Sequence, residues 1–412
     1  MFLTPSEAAA VRERFGTPCY VYDRRTLETA ARTALAFPAP FGFTLRYAIK
    51  ANPCRAILRV FDDLGLHFDA SSDHEAERAI RFARIAPEKL QLTSQMPSRA
   101  LERLVDLGVR YNACSLHQLD RFGAAFPGRN VSIRVNPGLG SGSTNRTNTG
   151  GIGSSFGIWH EHLDEAMALA ARHRVTIGRL HTHVGSGSDP AVWKRVARLS
   201  LDIAARLPDV TTVNMGGGFK VARVPGEHSA DLADIGRHVR QELQDFRDRT
   251  GRALHLELEP GTYLVANAGC VVATCIDVVD TGAEGYRFAK LDTGMTEITR
   301  PSLYGAQHPI TVLAERDAAP VVFVGPCCES GDILTPAPGD PEALAPRALP
   351  VPAGGDLVVI GGAGAYCAAM STINYNSYPQ APEVLRDLDG TLRLVRRRQT
   401  LEQVWANEVV DG

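Results

Sequence analysis

Lys50 ends an apolar run in Tyr47-Ala48-Ile49-Lys50-Ala51-Asn52, and an amine so placed has two readings. It is either a solvated strand terminus or, in the buried mouth of a barrel where its pKa falls, a nucleophile able to form a Schiff base with an aldehyde cofactor. The run Gly216-Gly217-Gly218 is either a tight turn or a set of backbone N–H groups offered to a phosphate. Glu259, in Glu257-Leu258-Glu259-Pro260-Gly261, is either a salt-bridge partner or a carboxylate that keeps a cofactor's ring nitrogen protonated, which turns the ring into an electron sink. His181 and His183 are two apart, share a strand face and sit at different depths, His183 nearer the C-terminal end. A His-x-His pair suggests a metal, but no other ligand cluster accompanies it, and a histidine stacked on a cofactor ring fits better.

These residues all stand at ends of apolar runs. Short β-branched or apolar segments alternate with helical periods between about residues 44 and 260, the pattern of βα units and a parallel sheet. Eight strands are expected: Leu45–Lys50, Leu66–Ser71, Leu90–Ser94, Arg110–Cys114, Val131–Asn136, Arg179–Val184, Thr212–Met215 and Leu254–Glu259. Amphipathic stretches between them, such as Glu75–Ala83, Arg99–Leu107, His160–Arg172 and Trp193–Ala205, are long enough for crossover helices. That count predicts a (β/α)8 barrel, whose active site forms at the C-terminal ends of its strands. Lys50, Asp69, Arg134 with Asn136, His183, Gly216 to Gly218 and Glu259 fall there, a group hard to justify as packing.

After about residue 265 the texture changes to strand-like pieces, Cys270–Val279, Pro320–Val324 and Asp356–Ile360, separated by Gly and Pro. The expected division is a barrel over 26–265 and a β domain over 266–412, joined by a strand from residues 1–25 around Cys19–Tyr22. Thr335–Gly355 reads as a long surface loop. A chain of 412 residues exceeds the roughly 250–300 at which single cores stop growing, which also favours two domains.

Composition excludes several classes. A net charge of -2 without a long basic run gives no argument for nucleic acid, and Arg396-Arg397-Arg398 reads as solvated surface. No run of about 18 apolar residues suggests a membrane span, and the N-terminus lacks the basic and apolar regions of a secretory signal. A cytoplasmic enzyme is expected. Its 8 cysteines, scattered without CxxC pairs, are expected to be mostly reduced thiols.

Taken in order, the motifs resemble the fold-type III pyridoxal-phosphate decarboxylases, specifically the diaminopimelate decarboxylase family. The resemblance runs from Phe15-Gly16-Thr17-Pro18 and Tyr20-Val21-Tyr22-Asp23 through the Lys50 motif, Asp69-Ala70-Ser71-Ser72 with Glu75, and His181-Thr182-His183-Val184-Gly185-Ser186. It continues through Gly216 to Gly218, Glu259-Pro260-Gly261, Asp292-Thr293-Gly294-Met295, Arg300-Pro301-Ser302-Leu303-Tyr304, Cys328-Glu329-Ser330-Gly331-Asp332 and Gly364-Ala365-Tyr366. It implies pyridoxal 5'-phosphate as cofactor, with Lys50 as its covalent anchor, His183 stacked on the ring and Glu259 at the pyridinium nitrogen. Ser186, the Gly216 to Gly218 backbone and Tyr366 would bind the phosphate, and Asp69, Arg134 and Gly261 belong to the same cofactor set. The family's shared active sites imply a homodimer in which the partner chain supplies Cys328 and Glu329. Cys328 would be the general acid that returns a proton to Cα, since an ordinary thiol, with a pKa of about 8.5, stays mostly protonated at neutral pH.

The resemblance implies meso-diaminopimelate as substrate, with Arg300, Tyr304, Glu329 and Tyr366 binding it. One departure bears on this. Relatives usually carry a carboxylate-binding arginine after Glu-Pro-Gly, where this chain has Thr262. Arg146, in the polar loop Ser143–Gly151, is a candidate to supply the lost charge. The alternatives are a decarboxylase of another basic or ω-substituted amino acid, or an amino-acid racemase. Glu259 opposes the latter, because racemases of this fold place arginine at the pyridine nitrogen.

Overall fold

The computed structural model describes residues 1–140, 150–183 and 189–409. The chain divides into two compact units, one of Glu28–Val221 with His228–Leu264, the other of Met1–Leu27, Ala222–Glu227 and Val265–Gly412.

The first unit is a ring of parallel strands: β1 (Phe43–Ala48), β2 (His67–Ala70), β3 (Leu90–Leu92), β4 (Arg110–Ala113), β5 (Asn130–Asn136), β6 (Thr176–Thr182), β7 (Thr212–Asn214) and β8 (His255–Leu258). Each pairs with the next, and β8 returns to β1 through Leu256↔Phe43 and Leu258↔Leu45, so the eight strands close into a ring, to which the two-residue strand Ile158–Trp159 adds beside β5. All the expected strands are present, with ends moved by a few residues. Helices between them bury one face each. In Leu232–Thr250 that face is Ile235, Val239, Leu243 and Phe246, spaced three or four apart. Asp231 caps the start by accepting the N–H groups of Ala233 and Asp234, and Gly251 ends the helix at a φ of 74° that suits glycine.

The barrel interior carries two polar layers set by the period of two along each strand. In the lower layer Glu257 of β8 accepts a two-pronged ion pair from buried Arg46 of β1, at 3.0 and 2.9 Å, and neighbours Arg110 and Arg179. Two residues on, Glu259 meets uncharged amides and a histidine instead. The strands are thus oriented so that Glu259, and not Glu257, lies toward the end where the barrel's loops begin.

The second unit centres on a mixed nine-stranded sheet. Its strand Cys19–Asp23 runs antiparallel to Gly269–Asp280 and parallel to Glu383–Arg386. Val21, Val272, Val359 and Val384 pack beneath it with Ala8 and Val11 of the helix Pro5–Phe15. That helix was not expected, although Thr4 and Glu7 form the reciprocal capping box that announces one. Thr335–Gly355 is not the surface loop expected. It holds the hairpin of Pro336–Ala337 with Asp340–Leu344, and then Arg347–Pro350, which pairs with Ala318–Val324 at the edge of the large sheet. An edge strand tolerates the prolines that made this stretch read as a loop.

Candidate active site

The barrel brings Asp69, Gln91, His181, Asn214 and Glu259 into one buried network at the C-terminal ends of β2, β3, β6, β7 and β8. Glu259 accepts hydrogen bonds from Gln91 Nε2 at 2.7 Å, Asn214 Nδ2 at 2.6 Å and His181 Nε2 at 2.9 Å. Burial pushes this carboxyl up, but His181 and its hydrogen bond outweigh burial and hold the pKa at about 2. Asp69 behaves oppositely. Burial, then the charge of Glu259, push its carboxyl well above the ordinary range, although Thr93 Oγ1 donates to it at 2.5 Å and Gln91 Nε2 lies at 3.2 Å. The network continues outward as Asn112 donates to Thr93 at 3.2 Å and Ser132 to Asn112 at 2.9 Å. Two carboxyls in one lumen are thereby split, Glu259 anionic and Asp69 inclined to keep a proton.

The glycine run is tied to this carboxylate. Glu259 N–H donates to Gly216 O at 2.8 Å, and a Cβ on Gly217 would stand 2.1 Å from Glu259 O, so the two backbones touch as only glycine permits. Asn214 Oδ1 takes the Gly216 N–H, and His183 Nδ1 takes the Gly217 N–H at 3.0 Å. Two of the three amides expected to meet a phosphate are thus engaged within the chain. His183 stands one residue past β6, half-buried. Burial, then the charges of Arg134 and Lys50, hold its pKa well below the ordinary value. A neutral ring whose Nδ1 accepts a hydrogen bond carries its proton on Nε2.

Of the two settings open to it, solvated and buried, Lys50 has the solvated one. It lies in the short turn Ile49–Ala51 after β1 and is exposed, while Tyr47 and Asn52 beside it are buried. Tyr47 Oη donates to Asn52 O at 3.0 Å, which fixes that turn. Arg134 is buried in β5 with its guanidinium 5.0 Å from the Phe156 ring. Asn136 pins the following loop by accepting from Gly138 and Gly151 N–H and donating to Gly151 O. Arg146 and Ser186 lie outside the described residues. Buried Gly261 follows Glu259, and Thr262 opens the short helix Thr262–Val265.

In the second unit, Arg300 and Tyr304 bound one short helix, and Tyr366 holds a left-handed φ of 55°. Cys328 and Glu329 are exposed on a loop built by two side chains. Asp332 accepts the N–H groups of Met295 at 2.6 Å and Cys327 at 3.0 Å, while Asn376 Oδ1 accepts the Cys328 N–H at 2.8 Å. A Cβ on Gly294 or Gly325 would stand 2.2 Å from the Asp332 carboxylate, so glycine is required where the carboxylate clamps the loop.

Sequence reasoning missed Gln91 and Asn214 as partners of Glu259, and Asn376 as a support of Cys328. Polar residues at inward positions of buried strands were the available signal for the first two. Asn376 lies 48 residues from Cys328, too far for a local pattern to reveal the contact. All 8 cysteines are unpaired. Among the described residues no group of three candidate ligands would hold a metal ion, and no helix is long and apolar enough to cross a membrane.

The arrangement suits a cofactor with an aldehyde, a ring nitrogen and a phosphate: an accessible amine, a buried carboxylate held ionised, and a glycine backbone locked to that carboxylate. Comparisons with known proteins agree. The family model of pyridoxal-dependent decarboxylases, pyridoxal binding domain, matches residues 25–266. Diaminopimelate decarboxylase of Streptomyces coelicolor is 38% identical over 99% of this chain and 92% of its own length, and that of Escherichia coli (strain K12) is 34% identical over 99% and 97%. A crystal structure of diaminopimelate decarboxylase superposes with a TM-score of 0.91 at 34% identity, covering 98% of this chain and 96% of that one. The Helicobacter pylori diaminopimelate decarboxylase complexed with L-lysine gives 0.86 at 26%, covering 97% and 98%.

Proposed function

The chain belongs to the pyridoxal-dependent decarboxylases, within the diaminopimelate decarboxylase family, and from that premise we propose that it converts meso-2,6-diaminopimelate to L-lysine and CO2 using pyridoxal 5'-phosphate. The observation that carries the site reading is the Glu259 carboxylate, held ionised at the barrel mouth by Gln91, Asn214 and His181. When bound, pyridoxal phosphate supplies an aldehyde that captures amines and a protonated pyridine ring that takes up the electron pair left by CO2.

The chain's own residues then have distinct tasks. Lys50 Nζ would be the amine that holds the aldehyde. Glu259, anionic at any working pH, keeps a proton on the ring nitrogen. The neutral His183 packs on the ring. Ser186, the Gly218 end of the glycine run and Tyr366 would take the phosphate, since Asn214 and His183 hold the Gly216 and Gly217 N–H groups, with Asp69, Arg134 and Gly261 completing the cofactor set. Cys328 returns a proton to Cα, and Arg300, Tyr304, Glu329, Tyr366 and Arg146 orient the substrate.

We assign Cys328 and Glu329 to the site of a second copy, which makes the enzyme a homodimer. Their exposure on this chain supports that reading. Eight unpaired cysteines support a reducing, cytoplasmic setting. For the domains we keep the limits 26–265 and 266–412, the latter joined by residues 1–25. The pairing of Cys19–Asp23 with Gly269–Asp280 supports this.

The test is CO2 release by the cofactor-loaded protein from meso-diaminopimelate, with L-lysine, L-ornithine and L-arginine in parallel. Turnover confined to meso-diaminopimelate is expected. Turnover of one of the others, with meso-diaminopimelate inert, overturns the substrate and leaves the cofactor chemistry standing.

A further inference from the structure

Two arginines of the second unit keep buried donor groups that nothing among the described residues answers. Arg223, in the segment Ala222–Glu227, donates Nε to Gly362 O at 3.1 Å, and its backbone N–H goes to Glu227 Oε2 at 2.8 Å. Its Nη2 is buried without a hydrogen-bond partner, and so is Nε of Arg300. His308 stands with them. Its Nδ1 donates to Gly361 O at 2.9 Å, its Nε2 is buried without a partner, and both arginines act on its charge.

The backbone is shaped around this cluster. Gly362 has a φ of 64°, and a Cβ there would stand 2.8 Å from Arg223 Cδ. Burial and the like charge of Arg300 bring the Arg223 guanidinium down to about 9, so the fold holds two cations near each other at a cost. A buried charge is retained where something of opposite sign pairs with it. Unanswered guanidinium donors on both arginines are of the kind that a carboxylate accepts.

Arg300 already belongs to the substrate set proposed above. Thr262, which stands where relatives usually carry a second carboxylate-binding arginine, has a neutral hydroxyl that cannot replace a charge. We propose that Arg223 is a specificity-determining residue, which with Arg300 grips the carboxylate on the substrate's distal, non-reacting carbon. This rests on the reading of the chain as a diaminopimelate decarboxylase. It makes Arg223, rather than Arg146, the residue that offsets Thr262.

The test compares cofactor-loaded wild type, R223Q and R146Q. Loss of one charge-assisted grip corresponds to about 10- to 100-fold in affinity. R223Q is expected to raise KM for meso-diaminopimelate by that factor, with kcat within a few-fold. Binding is read separately with two ligands, L-lysine, which retains the distal carboxylate, and 1,5-diaminopentane, which lacks it. R223Q weakens the first and leaves the second unchanged.

Equal weakening of both ligands means a merely structural Arg223 and overturns the proposal. So does an unchanged KM in R223Q, or a rise confined to R146Q. If R223Q does not fold, R223K takes its place and is held to the same contrast between the two ligands. Should wild type leave meso-diaminopimelate untouched, the proposed function fails by itself, and the two-ligand contrast still decides the role of Arg223.

Discussion

The chemistry turns on single carboxylates whose charge is set by their immediate partners. Glu259 stays anionic because His181, with its hydrogen bond, and then the charge of Arg46 offset its burial, while Gln91 and Asn214 donate to it as well. Asp69, in the same network, is pushed the other way by its burial first and then by that neighbouring charge. E259Q keeps the shape but removes the charge that holds a proton on the ring nitrogen. Its kcat for CO2 release is expected to fall about 100- to 1000-fold, the scale of losing one preorganised electrostatic group. A variant within a few-fold of wild type in a stopped CO2 assay would take Glu259 out of the mechanism.

Among the elements, the closure of β1 on β8 depends on more than backbone pairing. Arg46 and Glu257 form a fully buried two-pronged ion pair across that seam, and breaking such a pair from one side costs about 3–5 kcal/mol. E257Q is therefore expected to lower the urea midpoint by that equivalent. In the second unit, Glu297 is buried on the turn after Gly294, accepting from Thr293 at 3.1 Å and Thr296 at 2.7 Å. Burial outweighs those bonds and raises its pKa to about 7. Between about pH 4.3 and 7 the unfolded chain loses this proton while the folded chain keeps it, so stability is full below the window and declines as pH rises through it. The loss is about 3 kcal/mol. Guanidinium unfolding at pH 5 and pH 8 should show that difference in wild type and its disappearance in E297Q.

For the whole molecule, the decisive property is whether two copies share their sites. If Cys328 serves the partner's Lys50, then K50A and C328A are each inactive alone. Mixed after dissociation and reassociation, they should regain about a quarter of wild-type CO2 release, because half of the dimers are heterodimers with one intact site. Recovery at the level of the separate variants would mean that each chain completes its own site.

Much of this was legible in the residues themselves. The period of strands and helices is local, so the eight strands, the closed barrel class and the placement of Lys50, His183 and Glu259 at strand ends follow from the sequence. The order of the motifs identified the cofactor. The exposure of Lys50 on an otherwise buried turn, the capture of two glycine amides by Asn214 and His183, and the strands within Thr335–Gly355 did not follow, because side-chain partners and edge pairing are not local. The ionisation of Glu259 shows the reason most directly. Its three donors lie 168, 45 and 78 residues away along the chain, and only closure of the barrel brings them around one carboxylate. Arg223 is a further case: its sequence neighbours mark a loop, and only the fold sets it beside Gly362 with a donor left over.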